Sequence, residues 1–202
     1  MRSPRARQAR WVVRDREILE AALRLFAENG YHGTTVDDVA RAASTSKGGL
    51  YFHFPSKGEL FSALLDYAAR LLLSKIEGAI RDVDDPIAKL ERGLAVFVQT
   101  ITSHRPLARL FLVEGFGAGP AFQARLREIY ELFIRFIREQ LEAAIRQGRV
   151  RPVDTDLISV AWFGALYQLL LRWVSTGEPA SLEESYGRLV ELLASTIDLK
   201  PD

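Results

Sequence analysis

Residues 18–60 read ILEAALRLFAENGYHGTTVDDVARAASTSKGGLYFHFPSKGEL, and their spacing decides how the first third of the chain folds. Ile18, Ala22 and Phe26 recur at i, i+4 and i+8, and Leu19, Leu23 and Leu25 widen the stripe, so the spacing predicts an amphipathic helix over about 14–29. Asn29-Gly30 is a common helix stop. Thr35 is placed to cap a short helix over 36–43, with Asp38 three residues on in the reciprocal capping position. Ser46 or Thr45 can cap a second short helix that ends near Phe54-Pro55. Ser56 then opens a longer helix, with Glu59 again at the reciprocal position. A long amphipathic helix followed by two short ones across a tight turn describes a helix-turn-helix.

The rest of the chain continues the helical pattern, and the expectation is an all-α fold of nine helices. The fourth helix carries Leu60, Leu64, Leu71 and Ile76 to about Arg81. Asp85-Pro86 opens the fifth, whose buried face is Ile87, Leu90, Leu94, Phe97 and Ile101. Arg105-Pro106 is read as its break, followed by a short helix over 107–116 and a flexible joint at Gly115, Gly117, Gly119 and Pro120. A long helix over 121–147 faces inward with Leu126, Ile129, Phe133, Phe136 and Ile137; helices over 154–175 and 182–197 close the chain. The organisation expected is a helix-turn-helix domain over 1–55, with a basic arm, and a second helical domain over 56–202.

Composition narrows the function. With no cysteine, disulfides, thiolate metal sites and cysteine nucleophiles are excluded. His32, His53 and His104 are the only histidines, and there is no phosphate loop, metal-ligand spacing or nucleophile elbow. The reading is therefore not an enzyme, with no cofactor and no metal. The net charge of +1 is uninformative, but Arg2, Arg5, Arg7, Arg10, Arg14 and Arg16 face only Asp15 at the start, which suits a DNA-binding tail or a solvated terminus. The opening segment lacks a signal peptide's apolar core, so the expected location is cytoplasmic. Leu157 to Val174 is apolar enough to raise a membrane span, but Gln168 and Arg172 interrupt it, and a buried helix is the better reading.

The segment 18–60 resembles the TetR family of transcriptional repressors at nearly every position. The resemblance is carried by Gly30-Tyr31, Thr34-Thr35-Val36, Val39-Ala40, Ser46-Lys47-Gly48, Leu50-Tyr51, His53-Phe54 and Lys57. It implies that Thr34, Thr35, Ser46, Lys47, Gly49, Tyr51, His53 and Lys57 form the DNA-binding set. Their donors suit phosphate oxygens, which set register without reading sequence, and the amide end of the fourth helix favours a phosphate near Lys57. The competing assignment for His53 is a partly buried member of an aromatic cluster. Ser46 to Phe52 holds no Arg, Asn or Gln, the usual bidentate base readers. Lys47 can reach guanine acceptors, and Tyr51 a thymine methyl or a phosphate. Ser44, Thr45 and Gly49 depart from the family's usual glycine, valine and threonine. The sequence reading therefore gives DNA shape and the arginine arm a share of the specificity.

The resemblance also implies that the last two helices pair with their twins in a homodimer. Candidates are Phe163, Tyr167, Leu170, Trp173, Leu189 and Leu193; the alternative is that they serve one subunit's core. Phe97, Ile101, Phe111, Glu114, Phe133, Phe136 and Trp162 are read as an apolar effector pocket, with Thr102, Gln168 and Glu114 as polar groups to watch. EAAIRQGRVRP (142–152) and DTDLISVAWFGALYQLLLRWV (154–174) are similar to acyl-CoA-responsive regulators of fatty-acid degradation within the family. That similarity points to a long-chain acyl-CoA effector, with Lys89, Arg105 or Arg109 facing a CoA phosphate. The partners expected are thus palindromic operator DNA, a small apolar effector and a second copy, with no membrane. The competing function on the same scaffold is an effector-independent architectural or division-control DNA-binding protein.

Overall fold

The computed structural model describes the backbone of residues 4–115 and 119–197, with side chains from residue 15 onward over that range, Ala121 excepted. The described residues form nine helices: α1 Pro4–Gly33, α2 Val36–Ala42, α3 Lys47–His53, α4 Lys57–Ile80, α5 Pro86–Ser103, α6 Arg105–Leu112, α7 Pro120–Arg146, α8 Thr155–Thr176 and α9 Leu182–Ala194.

Short polar side chains set the helix starts. The Thr35 hydroxyl accepts the Asp38 N–H at 3.1 Å while Asp38 accepts the Thr35 N–H at 3.1 Å, completing the capping box of α2. Ser46, of the two candidates, caps α3 by accepting the Gly49 N–H at 3.0 Å. Ser56, Asp85, Asp154 and Ser181 do the same for α4, α5, α8 and α9. The stop at Asn29-Gly30 is real but brief: Gly30 takes φ 74 and ψ 172, and one more turn carries α1 to Gly33. Ser44, standing in the α2–α3 turn, has φ 51.

Two elements differ from expectation. α6 opens at Arg105, so Pro106 sits in the first turn, where its missing N–H leaves no bond unmade, and the break falls at His104. Gly115 is a packing position: a Cβ there would lie 2.3 Å from Cε1 of Phe122. Phe116, the expected end of the short helix, and Gly117 of the joint lie outside the described residues.

The chain divides into two compact units, one holding the residues up to Ala68 with Leu110–Arg125, the other Ala69–Arg109 with Leu126 onward. The division therefore lies inside α4, later than the boundary expected at 55/56. Leu60, Phe61, Leu64 and Leu65 of α4 explain this, since all four are buried. In the first unit the Phe61 ring packs on Phe26, Tyr31, Phe111 and Phe122 at centroid distances of 5.3, 4.7, 5.7 and 4.8 Å. Val36, Val39, Ala40 and Leu50 are buried where α2 packs on α1 and α3.

The second unit buries Leu90, Leu94 and Val98 of α5, Phe133, Ile137 and Leu141 of α7, and Trp162, Leu166, Leu170, Trp173 and Val174 of α8. Each such side chain contributes about 1.5–3 kcal/mol relative to exposure. Gly93 lets α5 and α7 approach closely, a Cβ there falling 2.7 Å from Cζ of Phe136. By length and composition α8 is the one described helix able to cross a membrane. One face of it is open: Leu157 and Val160 are 65% and 54% exposed, and Ala161, Gly164 and Gln168 share that face.

Candidate functional site

On α3 the exposed residues Lys47, Gly48, Tyr51 and Phe52 fall at i, i+1, i+4 and i+5, which places them on one arc of the helix. Leu50 points the other way and is fully buried. The short helix is thus fixed by its apolar side and capped by Ser46, and it presents a narrow strip of cation, bare backbone and two aromatic rings. Lys47 Nζ pairs with Asp37 at 3.0 Å, which raises its pKa through that hydrogen bond first and the charge of Asp37 second. Both groups are more than half exposed, so the pair is weak.

The sequence-expected DNA set is not all on this strip. Thr35 and Ser46 lie exposed at the starts of α2 and α3, engaged in capping. Gly49 sits half-buried beneath the cap, a Cβ there falling 2.8 Å from the Thr45 hydroxyl. Thr34 is buried, 1% exposed, with its hydroxyl 3.1 Å from the Leu25 carbonyl and 2.9 Å from that of Gly30. Its one proton goes to the end of α1, leaving none for a phosphate. His53 also turns inward: its side chain is 12% exposed and Nδ1 pairs with the Asp15 carboxylate of α1. Lys57 lies over the Tyr31 ring at 4.5 Å, and partial burial lowers its pKa. Of the arginine arm, Arg16 pairs with Glu20 at 2.8 Å, while the side chains of Arg2, Arg5, Arg7, Arg10 and Arg14 lie outside the described residues.

The expected pocket residues separate into two groups. Phe111 and Glu114 belong to the first unit, where Phe111 stacks on Phe61 and the Glu114 carboxylate accepts the Tyr31 N–H at 3.0 Å. Phe97, Ile101, Phe133, Phe136 and Trp162 belong to the second. Phe97 and Phe133 are 4.9 Å apart by centroid, and Trp162 donates from Nε1 to the Thr196 hydroxyl at 3.1 Å. Of the polar groups, Thr102 donates to the Val98 carbonyl and Gln168 is exposed. Arg105 lies over the Trp173 ring and donates to the Trp173 carbonyl at 3.1 Å.

The sequence reading missed Tyr130. Its ring lies against Phe163 and Tyr167 at 5.3 and 5.1 Å, and its hydroxyl is shut off from solvent with no hydrogen bond of acceptable geometry. Burial first, and the nearby Tyr167 hydroxyl second, raise its pKa above the ordinary phenol range. Its place one turn before Phe133 on α7 was the available signal.

The expected dimer residues also divide. Leu170 and Trp173 are 2% and 7% exposed and serve the subunit's own core. Phe163, Tyr167, Leu189 and Leu193 are half-buried. The large apolar side chains left exposed on α8 and α9 are Leu157, Val160 and Leu192. Among the described residues no group of three His, Asp or Glu side chains is placed to hold a metal.

An α2–α3 pair locked on α1, with a polar and aromatic strip facing outward, defines a helix-turn-helix DNA-binding unit. Residues 18–64 match the tetR family of bacterial regulatory proteins, and residues 83–197 match the tetracyclin repressor-like C-terminal domain. The chain belongs to the TetR family. It is 25% identical over 178 residues to the uncharacterized HTH-type transcriptional regulator YhgD of Bacillus subtilis, spanning 88% of this chain and 93% of that one. Solved structures share the fold, two of them with bound ligands of one class. FadR of Bacillus subtilis, in complex with stearoyl-CoA, aligns with a TM-score of 0.79 at 22% identity over 90% of this chain and 98% of its own. AibR, in complex with isovaleryl coenzyme A and operator DNA, aligns with a TM-score of 0.64 at 25% identity, over 87% and 96%.

Proposed function

We propose that this protein is a dimeric transcriptional repressor that binds a palindromic operator and releases it when an acyl-CoA binds the second unit. The observation that carries the reading is the outward strip of α3, Lys47, Gly48, Tyr51 and Phe52, held on a buried Leu50. Lys47, Gly49 and Tyr51, with Thr35 and Ser46 at the helix starts, approach the phosphates and the major groove. The first amides of α4 and Lys57 favour a further phosphate.

The exposed apolar face of α8, with Leu192 of α9, supports pairing with a second copy. Trp162 bonded to Thr196 fixes α8 and α9 as an antiparallel pair, so both helices offer apolar surface at one level. A twofold dimer supplies the symmetry that two operator half-sites require. The CoA thioesters named in the FadR and AibR complexes support the ligand class. Phe97, Ile101, Phe133, Phe136 and Trp162 offer aromatic and aliphatic contacts for an acyl chain, and the Tyr130 hydroxyl, beside that of Tyr167, is a polar group that could meet a thioester carbonyl.

Release requires only that the acyl-CoA prefer a conformer whose two α3 helices are wrongly spaced for successive major grooves. A coupling of about 1–3 kcal/mol corresponds to a 5- to 150-fold change in operator affinity. The test is a titration of acyl-CoAs of graded length against the complex of the protein with the DNA upstream of its own gene. Release by long-chain acyl-CoA, and not by free CoA, supports the reading. Binding indifferent to every acyl-CoA removes the ligand assignment and favours the architectural role.

A further inference from the structure

We propose that Phe52 is a sequence-reading residue of α3 that recognises the 5-methyl group of thymine. This rests on the DNA-binding reading above and goes beyond it, since that reading gives Phe52 no base to recognise. Phe52 is 69% exposed, the most exposed large apolar side chain of the described residues. It lies on the arc shared by Lys47, Gly48 and Tyr51. At that exposure most of the phenyl ring faces outward on this arc.

The ring is also positioned. Its centroid is 6.0 Å from that of His53 with the planes at 89°, an edge-to-face contact, and His53 is itself tied to Asp15 of α1. Gly48, one turn before Phe52, has nothing within 4 Å of where a Cβ would stand, so the approach to the ring from that side is open.

The chemistry of the groove selects the target. Base edges in the major groove offer donors and acceptors, which a phenyl ring cannot pair, and one apolar group, the thymine methyl. Within α3 the other outward side chains are Lys47 and Tyr51; Phe52, 69% exposed against 40% for Tyr51, offers the larger apolar surface to a methyl group. Burying one methyl predicts a ~4-fold preference for thymine over a methyl-free pyrimidine at the contacted position of each half-site.

The test takes the full-length protein, enriches duplexes from a random-sequence library, and replaces each thymine of the enriched site by deoxyuridine in turn. Wild type is expected to lose ~4-fold at one symmetric position. Phe52→Ala, whose substitution lies at the surface, is expected to bind thymine and deoxyuridine duplexes equally, and Phe52→Leu to retain part of the preference. A site insensitive to every replacement overturns the proposal. So does a Phe52→Ala variant with the same sensitive position, which would assign the contact to Tyr51. If wild type enriches no duplex, the DNA-binding reading fails first, an outcome distinct from binding without methyl discrimination.

Discussion

The carboxylate of Glu114 accepts the backbone N–H of Tyr31 at 3.0 Å, joining residues 83 positions apart in sequence. The same carboxylate oxygen stands 2.7 Å from where a Cβ on Gly30 would be, so the break in α1 and the turn after α6 are fitted to one another. A bare glycine makes room for the acceptor, and the acceptor satisfies an amide freed where the helix breaks.

Gly30 has φ 74 and ψ 172, a region that side chains almost never occupy. Gly30→Ala is expected to destabilise the protein by about 2 kcal/mol or more through strain and the clash with Glu114. Glu114→Ala is expected to lose about 1.5 kcal/mol, as a charge-assisted bond to a half-buried amide disappears, and Glu114→Gln less than half of that. Denaturant unfolding measures all three. A Gly30→Ala variant as stable as wild type contradicts the fit.

Asp38 is held below the ordinary aspartate range, first by the Thr35 hydroxyl and then by the Thr35 N–H. A carboxyl whose folded pKa lies below its unfolded value stabilises fully above the unfolded pKa, and that contribution fades as pH falls through the folded one. The carboxylate half of the α2 capping box is therefore intact at neutral pH and weakens in acid, while the bond from the Asp38 N–H to the Thr35 hydroxyl does not titrate. Thr35→Val removes the larger cause, so the Asp38 carboxyl carbon followed by NMR should titrate at higher pH than in wild type. An unmoved midpoint argues that the cap is not what holds Asp38 ionised.

Tyr130→Phe removes a buried hydroxyl that lacks a well-formed bond. Without effector the variant is expected to be as stable as wild type or up to about 1 kcal/mol more stable. Acyl-CoA is expected to bind it more weakly. If thermal unfolding shows a loss of 2 kcal/mol or more, the hydroxyl has a structural partner and is no ligand anchor.

On α8, Val160→Glu places a carboxylate on the exposed apolar face, whereas Leu170→Glu places one in the core. The first should leave a folded protein whose dimer dissociates at least ~100-fold more readily, read by sedimentation equilibrium. The second should prevent folding. A Val160→Glu dimer of unchanged affinity would move the interface elsewhere.

The sequence made the helices legible because the signals are local. Thr35, Ser56, Asp85 and Asp154 each announce a start within three residues, and the structure places caps at all four. Phe52 carries no donor to mark it as a DNA contact, and only its helical position beside Tyr51 places it on the outward arc. Leu170 and Trp173 were assigned to the dimer because α8 is apolar on most sides; only packing against α9 distinguishes its buried face from the one bearing Leu157 and Val160. Phe111 belongs by helical spacing to the aromatic-rich set read as the pocket, and Glu114 to the polar groups beside it. Their partners Phe61 and Tyr31 are more than forty positions away, beyond what periodicity can report.

The most direct test is fluorescence anisotropy of the full-length protein on the duplex upstream of its own gene, across a range of salt, beside a Lys47→Ala/Tyr51→Ala variant. The account predicts that wild type binds this duplex at least ~10³-fold more tightly than random sequence, with affinity falling steeply and linearly in log–log with salt. The variant, changed only at exposed positions, should keep its fold and lose that preference. Equal affinity for both duplexes, or a variant that binds like wild type, would contradict the claim that the outward strip of α3 reads operator DNA.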